Sequence, residues 1–429
     1  MSVTKHTQGQ PSAERAFTHR LAHYGISSDC VMDEVDTAAF TQGLHLGHSL
    51  AYSDLVPTAV RTVFTVAELK QLGGIPDDNF RHGLKDNFVD YPPVFDDVSM
   101  PSLAECQFDI CQLKSKMTPQ QLEYTLMAYV AYIKGDSSKV VGYEAHINAI
   151  HFPLTVTLYA IKHLHVSEGA ALHLNNPETH PVCVVTERLT MDSKAELRVY
   201  TPAVIDSQCA AITNLIFVGE NGKAGANAPN GFNGANGQDA VQGQVTDSYP
   251  MPFCVGQVRA TRGLSGNHGN HGASGADGRM ADFCLLCGLE FLGTIHISFD
   301  SACGGRGGKG GDGGSGGNGG SGADAAGVCG PLTAGEGAKG GNGGNGGNGG
   351  NGARGTDLIV SFRGLLPKID FASQLDLSSM FCGGESGASG NGGQGGRGQV
   401  PGEDGVGGSA GQAGRSGRQP TLSLVAETS

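Results

Sequence analysis

Residues 340–355 read GGNGGNGGNGGNGARG, and their reading decides the fold. A run so poor in side chains is ordinarily a flexible linker. This one keeps strict time, with glycine at every third residue, and other stretches keep the same time. The first run holds Gly219, Gly222, Gly225, Gly231, Gly234, Gly237 and Gly243, with Ala228 and Ala240 in the remaining frame positions. The second runs from Gly263 to Gly278, the third from Gly304 to Gly322 and the fourth from Gly337 to Gly355. The fifth runs from Gly384 to Gly417 and misses only at Gln399.

A period of three fits neither an α-helix nor a β-strand. It fits polyproline-II geometry, with three residues per turn and a rise of about 3.1 Å per residue. Such a helix has no internal hydrogen bonds, so its amides and carbonyls must pair with neighbours. Glycine in one position of each triplet bares one face for close approach. Collagen also needs glycine at every third residue, but it is usually rich in proline, and proline is nearly absent from these runs. The third and fourth runs carry glycine in two of three positions (GGK, GGD, GGS, GGN). A helix at the centre of a layered bundle needs two bare faces. The spacing therefore predicts three hairpins, 219–278, 304–355 and 384–417, with the middle one inside. An arm of 19 residues would project about 60 Å. The packing glycines of that interior include Gly307, Gly310, Gly313, Gly316, Gly340, Gly343, Gly346 and Gly349.

Apolar stretches bracket each hairpin: NLIFV (214–218), DFCLLCGLEFLGTIHISF (282–299), DLIVSFRGLLPKIDF (357–371) and TLSLV (421–425). The chain should leave a β-rich core, run out, turn and return three times. That core begins in 138–218, where helical periodicity gives way to alternation. In VTLYAIKHLHVSEGAALHL (156–174) Leu164 and Val166 lie opposite His163 and His165, and a turn at Ser167-Glu168-Gly169 precedes Leu172 and Leu174. Short strands with brief polar corners suit a β-solenoid or a β-sandwich. LHVSEGAALHL resembles a strand–corner–strand coil of parallel β-helices, which favours the solenoid. Residues 1–135 read as helices and loops. Ser12 can cap a helix that stops at Gly25, and Thr65 with Glu68 makes a capping box before a helix ending at Gly73. Thr118, Pro119 and Gln121 start the longest helix, 119–134, which Gly135 ends. The expected fold is thus mixed: a helical region, a solenoid-like β core and an inserted bundle of about six antiparallel polyglycine-II helices.

Over about residues 219–417 this pattern resembles the polyglycine-II helical-bundle proteins, among them the snow-flea antifreeze protein and the glycine-rich tail-tip adhesins of long-tailed phages. The resemblance implies layered antiparallel helices and, in the adhesins, hairpin-end loops that contact a host receptor.

The chain of 429 residues has a net charge of −13, which argues against a sequence-independent hold on nucleic acid or anionic lipid. No apolar run approaches the ~20 residues of a membrane span, and the start lacks the apolar core of a secretory signal. A surface role would need lysis, a particle or a dedicated export route, and a cytoplasmic location is the alternative. Eleven irregularly spaced cysteines do not read as a disulfide framework, and most read as buried thiols of a reducing compartment.

Few residues suggest chemistry. Loop 244–262 contains Tyr249, Phe253, Arg259 and Arg262, residue types favoured in recognition. The row Asn342, Asn345, Asn348 and Asn351 could bind sugar, ice or a neighbouring copy, or simply satisfy local backbone. His268 and His271 sit one turn apart, about 9 Å, too far to share an ion, and read as solvated. His163 and His165 face one way with no carboxylate or thiol in sequence to complete a metal set, and His173 falls on a following strand. Cys284 and Cys287, like Cys106 and Cys111, read as thiols, and Asp90, Asp96 and Asp97 as a solvated acidic loop. No nucleotide or hydrolase motif is present, and no cofactor is implied. The function expected is non-enzymatic: a structural or adhesive surface protein that self-associates into a fibre, array or appendage and displays a rigid bundle. The alternative is a receptor-binding adhesin that recognises a cell-surface glycan or protein. A β-helix carbohydrate-active enzyme and an ice-binding protein stand behind these.

Overall fold

The computed structural model describes residues 13–47, 53–86, 89–106, 109–176, 180–246, 251–371 and 377–426. Sixteen strands are formed among them: β1 Met32–Asp36, β2 Leu44–Leu46, β3 Ala59–Val63, β4 Leu154–Val166, β5 Ala171–Leu174, β6 Val182–Met191, β7 Glu196–Val199, β8 Ala203–Ala211, β9 Asn214–Phe217, β10 Gln244–Thr246, β11 Phe253–Val255, β12 Phe283–Phe291, β13 Thr294–Phe299, β14 Asp357–Phe362, β15 Lys368–Phe371 and β16 Thr421–Ala426. The fold is mixed α/β, and its two large sheets are parallel.

The chain alternates between those sheets. One has the order β1-β4-β6-β8-β12-β14-β16, with β3 antiparallel on β4; the other has the order β15-β13-β9-β7-β5-β2. Each long strand turns a short corner and gives a strand to the opposite sheet. Neither sheet closes into a barrel. Leu164, Val166, Leu172, Leu174, Leu189 and Leu197 point between the sheets and form one buried core. The reason is the alternation itself: with a period of two, apolar residues at i and i+2 share a face.

Along β4 the core-facing series runs Tyr159 and Ile161, then Leu164 and Val166, so the alternation changes phase between 161 and 164, and Val156, Leu158 and Ala160 face the other way, under the helices. The helices among the described residues are α1 Ala13–His23, α2 Val66–Gly73, α3 Asp77–Arg81, α4 Ile110–Lys116, α5 Pro119–Lys134, α6 Glu144–His151 and α7 Leu377–Met380; α1, α2, α5 and α6 pack on this face, whereas α7 packs against the core between the sheets. The capping box of α5 forms as its sequence demands, with Thr118 accepting from the Gln121 amide and Gln121 returning to Thr118. Thr65 likewise caps α2, while Glu68 accepts from the Phe64 amide. Ser12 lies outside the described residues.

The N-terminal region differs from its helical reading. Within it, β1 and β3 join the first sheet and β2 joins the second. MDEVD exposes Asp33 and Glu34 side by side, and AVRTV exposes Val60 and Thr62 while Arg61 lies on the face of the buried Val63, so these strands offered only a faint alternating signal. The stretches CVV and LTM also fuse into the single strand β6.

His151, at the end of α6, stacks on Tyr129 with ring centroids 4.7 Å apart. Burial, reinforced by Lys114, lowers its pKa to about 4. The unfolded chain takes a proton near pH 6.5, which the folded chain refuses until about pH 4. Folding stability therefore falls as pH drops through that window, by about 2 kcal/mol at pH 5 from this residue alone. A His151→Phe variant keeps the stack and should lose that share of the acid sensitivity. Urea midpoints at pH 7 and pH 5 measure it, and an equal acid shift in both proteins would contradict the assignment.

The glycine runs make six segments: I (219–243), II (261–279), III (302–322), IV (335–355), V (381–398) and VI (401–418). Hydrogen bonds recur between them at every third residue. Segments I, III and V form one row, with Gly225 donating to Arg306 and Gly310 to Ala388; II, IV and VI form the other, with Gly269 donating to Asn342 and Gly343 to Val406. Partners within a row advance together, so those segments are parallel. Between rows they run in opposite senses: Gly311 donates to Asn270, Gly344 to Gly311 and Gly390 to Gly344.

This network accounts for the glycine pattern. In the triplet Gly340-Gly341-Asn342 a Cβ on Gly340 would meet the Gly393 carbonyl of segment V, and one on Gly341 the Asn267 carbonyl of segment II. At all eight packing glycines named above, an added Cβ would fall under 3.0 Å from a carbonyl oxygen of the facing segment. The first position of a triplet is glycine or another small residue where a following segment covers it (the non-glycines include Ala228, Ser386 and Ser389), and so is the second where a segment two earlier in the chain covers it. Segments III and IV meet both conditions and read GGX. Segments I and II have nothing behind their second positions, and there the chain places Lys223, Pro229, Phe232, Leu264 and Asn267. Segment VI has no follower, and its first positions include Pro401, Asp404, Ala410 and Ala413.

Side chains complete the pairing. The Gly340 amide donates to Glu403, the Gly341 amide to Gly314, and the Asn342 amide to Nδ1 of His268 at 2.8 Å. In segment III the Lys309, Asp312, Ser315 and Asn318 amides donate to the side-chain oxygens of Asn227, Asn230, Asn233 and Asn236. In these triplets a polar side chain closes the one amide that backbone does not reach.

The segments meet the sheets at a buried charge cluster. Asp357, at the start of β14, is about 1% exposed and pairs with Lys134 at 3.3 Å, Arg354 at 3.0 Å and Arg418. Burial opposes its charge, but the three cations together with Thr421 outweigh that and hold its carboxyl below the usual range. Arg418 also pairs with Asp90. The cluster ties α5, segments IV and VI, and the first sheet together.

Candidate functional site

The far end of the segments carries the surface of greatest interest. After segment I the chain makes a small antiparallel hairpin of β10 and β11. After segment III it makes a turn in which Ala323 bridges Leu332 and Ala326 bridges Cys329. Gly327, at φ +58°, supplies the left-handed residue that this turn requires. Cys254 of β11 is disulfide-bonded to Cys329 of the turn. Gln257 Nε2 donates to the Gly330 carbonyl at 3.1 Å and to Gln242 Oε1 at 2.8 Å. Gln242 in turn donates to the Asp324 carbonyl. Two loops from different hairpins are thereby held as one tip.

The tip is apolar outward. Met251 is 74% exposed and Phe253 51%, and Val245, Val255, Val258, Val328 and Val400 are also exposed. Of the recognition residues expected in this loop, Phe253, Arg259 and Arg262 lie exposed on the tip side, and Tyr249 lies outside the described residues. Sequence reasoning missed Met251, Val245 and Val328. The signal was available as apolar residues in a loop that no periodicity claims.

The other candidates disperse. The Asn342, Asn345, Asn348 and Asn351 side chains each accept from a backbone amide of segment VI, at 2.9–3.0 Å. His268 and His271, read as solvated, instead accept from the Asn342 and Asn345 amides through Nδ1. His163 and His165 do point outward from β4. His165 finds Asp192 at 3.4 Å and Thr190 at 3.1 Å, a carboxylate the linear sequence did not place nearby. His173 is on the opposite sheet, stacked on His45 at 4.2 Å, where burial followed by His45 lowers its pKa to about 4. Cys284 is fully buried while Cys287, three residues on, turns to the opposite face. Burial raises the thiol pKa of Cys284. Cys106 is buried and Cys111 exposed, both as thiols. Asp96 and Asp97 lie exposed in a short 3-10 turn, apart from Asp90. Among the described residues no group of three or more His, Cys, Asp or Glu side chains is placed to hold a metal ion.

The cysteine reading needs correction. Cys303 and Cys382 form a second disulfide, so four of eleven cysteines are paired and seven are thiols. Their partners are 75 and 79 residues away in sequence, which is why spacing gave no sign of them.

Two clefts are open. One of about 770 Å³ lies among α1, β3, α2, α3 and α5, where Lys70 is committed to Asp77 at 2.5 Å and the Gly135 carbonyl at 2.6 Å. A shallower one of about 400 Å³ lies on the outer face of the second sheet, by Glu196 and His296. Glu196 and Asp370 share one register row there but stand three strands apart, about 14 Å. Paired carboxylates of glycoside hydrolases stand about 5–9.5 Å apart, so Glu196 and Asp370 do not make such a pair.

Comparison with known proteins adds no relative: no family model, curated protein or solved structure matches the chain. No helix among the described residues is long and apolar enough to cross a membrane.

Proposed function

We propose that the six segments form a polyglycine-II bundle mounted on a β-solenoid, and that the protein is a non-enzymatic structural or adhesive surface protein that holds the bundle's tip against a partner. One observation carries the reading: an exposed apolar patch, Met251, Phe253, Val255 and Val328, sits on two loops joined by a disulfide at the end of a hydrogen-bonded rod. Large apolar side chains displayed together mark interaction sites, and a cross-linked platform loses little entropy on binding. Two disulfides also fit an oxidising location outside the cell. The partner is a glycan or protein receptor on a surface.

Beads coated with the full chain test this on cells and on a glycan array. A Met251→Ser/Phe253→Ser/Val328→Ser variant should adhere about tenfold less or weaker, a loss of roughly 1.4 kcal/mol or more, with an unchanged melting temperature. Equal adhesion by the variant, or no adhesion by the wild type, removes the reading.

Self-association, the leading expectation from the sequence, is here the second reading, favoured by Leu292, Leu365 and Leu366, which are exposed at corners after β12 and β14. Negative-stain electron microscopy over a concentration series should then show filaments or arrays, and discrete monomers would discard it.

A further inference from the structure

We propose that the two disulfides are register locks, placed where the chain's own connections cannot fix how the glycine segments align, so that a dithiol reductant frees the register. Segments built of repeated triplets are nearly degenerate. A slip of V by one triplet re-forms the same kind of backbone pair, because Gly307, Gly310 and Gly313 of III then donate to the carbonyls of the next triplets of V. Gly-rich pairing specifies register weakly for this reason.

Most arms are fixed at their base by short links to a strand. Segment I follows β9 directly, III follows β13, and II, IV and VI run straight into β12, β14 and β16. Segment V is the exception: residues 372–380 separate it from β15, and α7 with Phe381, not a strand, seats its base on the core. The Cys303–Cys382 disulfide joins the first residues of V to its parallel neighbour III. In that same triplet the Gly304 amide donates to the Cys382 carbonyl at 2.9 Å, so the bond and the register coincide.

The tip repeats the logic. Segments V and VI are joined by a tight turn near 399–401, but I–II and III–IV are joined by the long excursions 244–260 and 323–334. Cys254–Cys329 joins those two excursions to each other. The partition is complete: Cys254, Cys303, Cys329 and Cys382, all in or between the segments, are bonded, and the seven cysteines of the sheets and helices are thiols. Reduction proceeds by two thiol–disulfide exchanges. Each protein disulfide gains two electrons and two protons and becomes two thiols, and the dithiol becomes its cyclic disulfide.

The experiment is alkylation and hydrogen exchange on the full chain, with and without dithiothreitol. Unreduced, denatured protein should alkylate at seven cysteines and leave Cys254, Cys303, Cys329 and Cys382 protected. Reduction of the folded protein should speed amide exchange across 384–414 by about tenfold or more, while β6 and β8 keep their rates. In a Cys303→Ser/Arg306→Cys variant treated with oxidised glutathione, which takes up the two electrons and two protons and leaves as two reduced glutathiones, the thiol introduced one triplet along should cross-link to Cys382 after a slip. Alkylation at all eleven cysteines without reductant would overturn the proposal. So would unchanged exchange on reduction, or no cross-link from position 306.

Discussion

A Gly344→Ala variant should lose about 3 kcal/mol or more of stability and weaken the pairing of segments II, III and IV. The Cβ would lie far inside contact distance of the Asn270 carbonyl oxygen and carbon, with the Gly269 carbonyl at 3.0 Å. All three are backbone atoms, so no side chain can swing aside. Segments II and IV would have to part, and Asn270 also accepts from the Gly311 amide at 2.9 Å. The cost therefore combines overpacking, about 1–3 kcal/mol, with hydrogen bonds worth about 1 kcal/mol each. Gly407→Ala makes the contrast. It adds the same atom to segment VI, where only the Gly390 carbonyl lies near, at 3.6 Å. That change should stay within about 0.5 kcal/mol. Urea unfolding of the two variants beside the wild type measures both, and equal effects would mean the facing segments are not in contact.

The charge cluster at the base predicts the second large effect. Asp357→Asn keeps the shape but leaves Lys134 and Arg354 without their shared counter-charge. Lys134 is about 1% exposed, and an unpaired buried charge costs about 3–5 kcal/mol. Lys134→Met should cost far less, because Arg354 and Arg418 still neutralise Asp357 and the methionine fills the same space. The order of the two urea midpoints is the readout. A variant lacking Lys134 that is weaker than the one lacking Asp357 would show that the lysine, not the carboxylate, holds the junction.

The sequence made some of this legible and hid the rest for physical reasons. Helix α5 was legible because its capping box, its first-position proline and its terminal glycine are all local. The presence of strands in 156–217 was legible because alternation is local too, whereas their parallel pairing joins residues about 20–80 positions apart and was not. The weak edge strands β1, β2 and β3 were not: their pairing partners lie more than 90 residues away, and β2 is only three residues long. The glycine period announced an unusual backbone. It did not say that Asn227, Asn230, His268 and His271 would close the remaining amides, because that depends on offsets of 82 and 74 residues between segments. The same offsets hid the disulfides. Phe253, Arg259 and Arg262 were picked by residue type, whereas Met251 and Val328 come together only through Cys254 and Cys329.

The central claim is that the glycine segments are hydrogen-bonded helices packed on one another rather than free chain. Hydrogen exchange followed by mass spectrometry on the oxidised, full-length protein tests it most directly, through peptides spanning 335–355. There the Gly340, Gly341, Gly343, Gly344, Gly346 and Gly347 amides all donate to neighbouring segments. The account predicts that these peptides exchange as slowly as those of β6 and β8. Exchange at the rate of an unstructured glycine linker would contradict it.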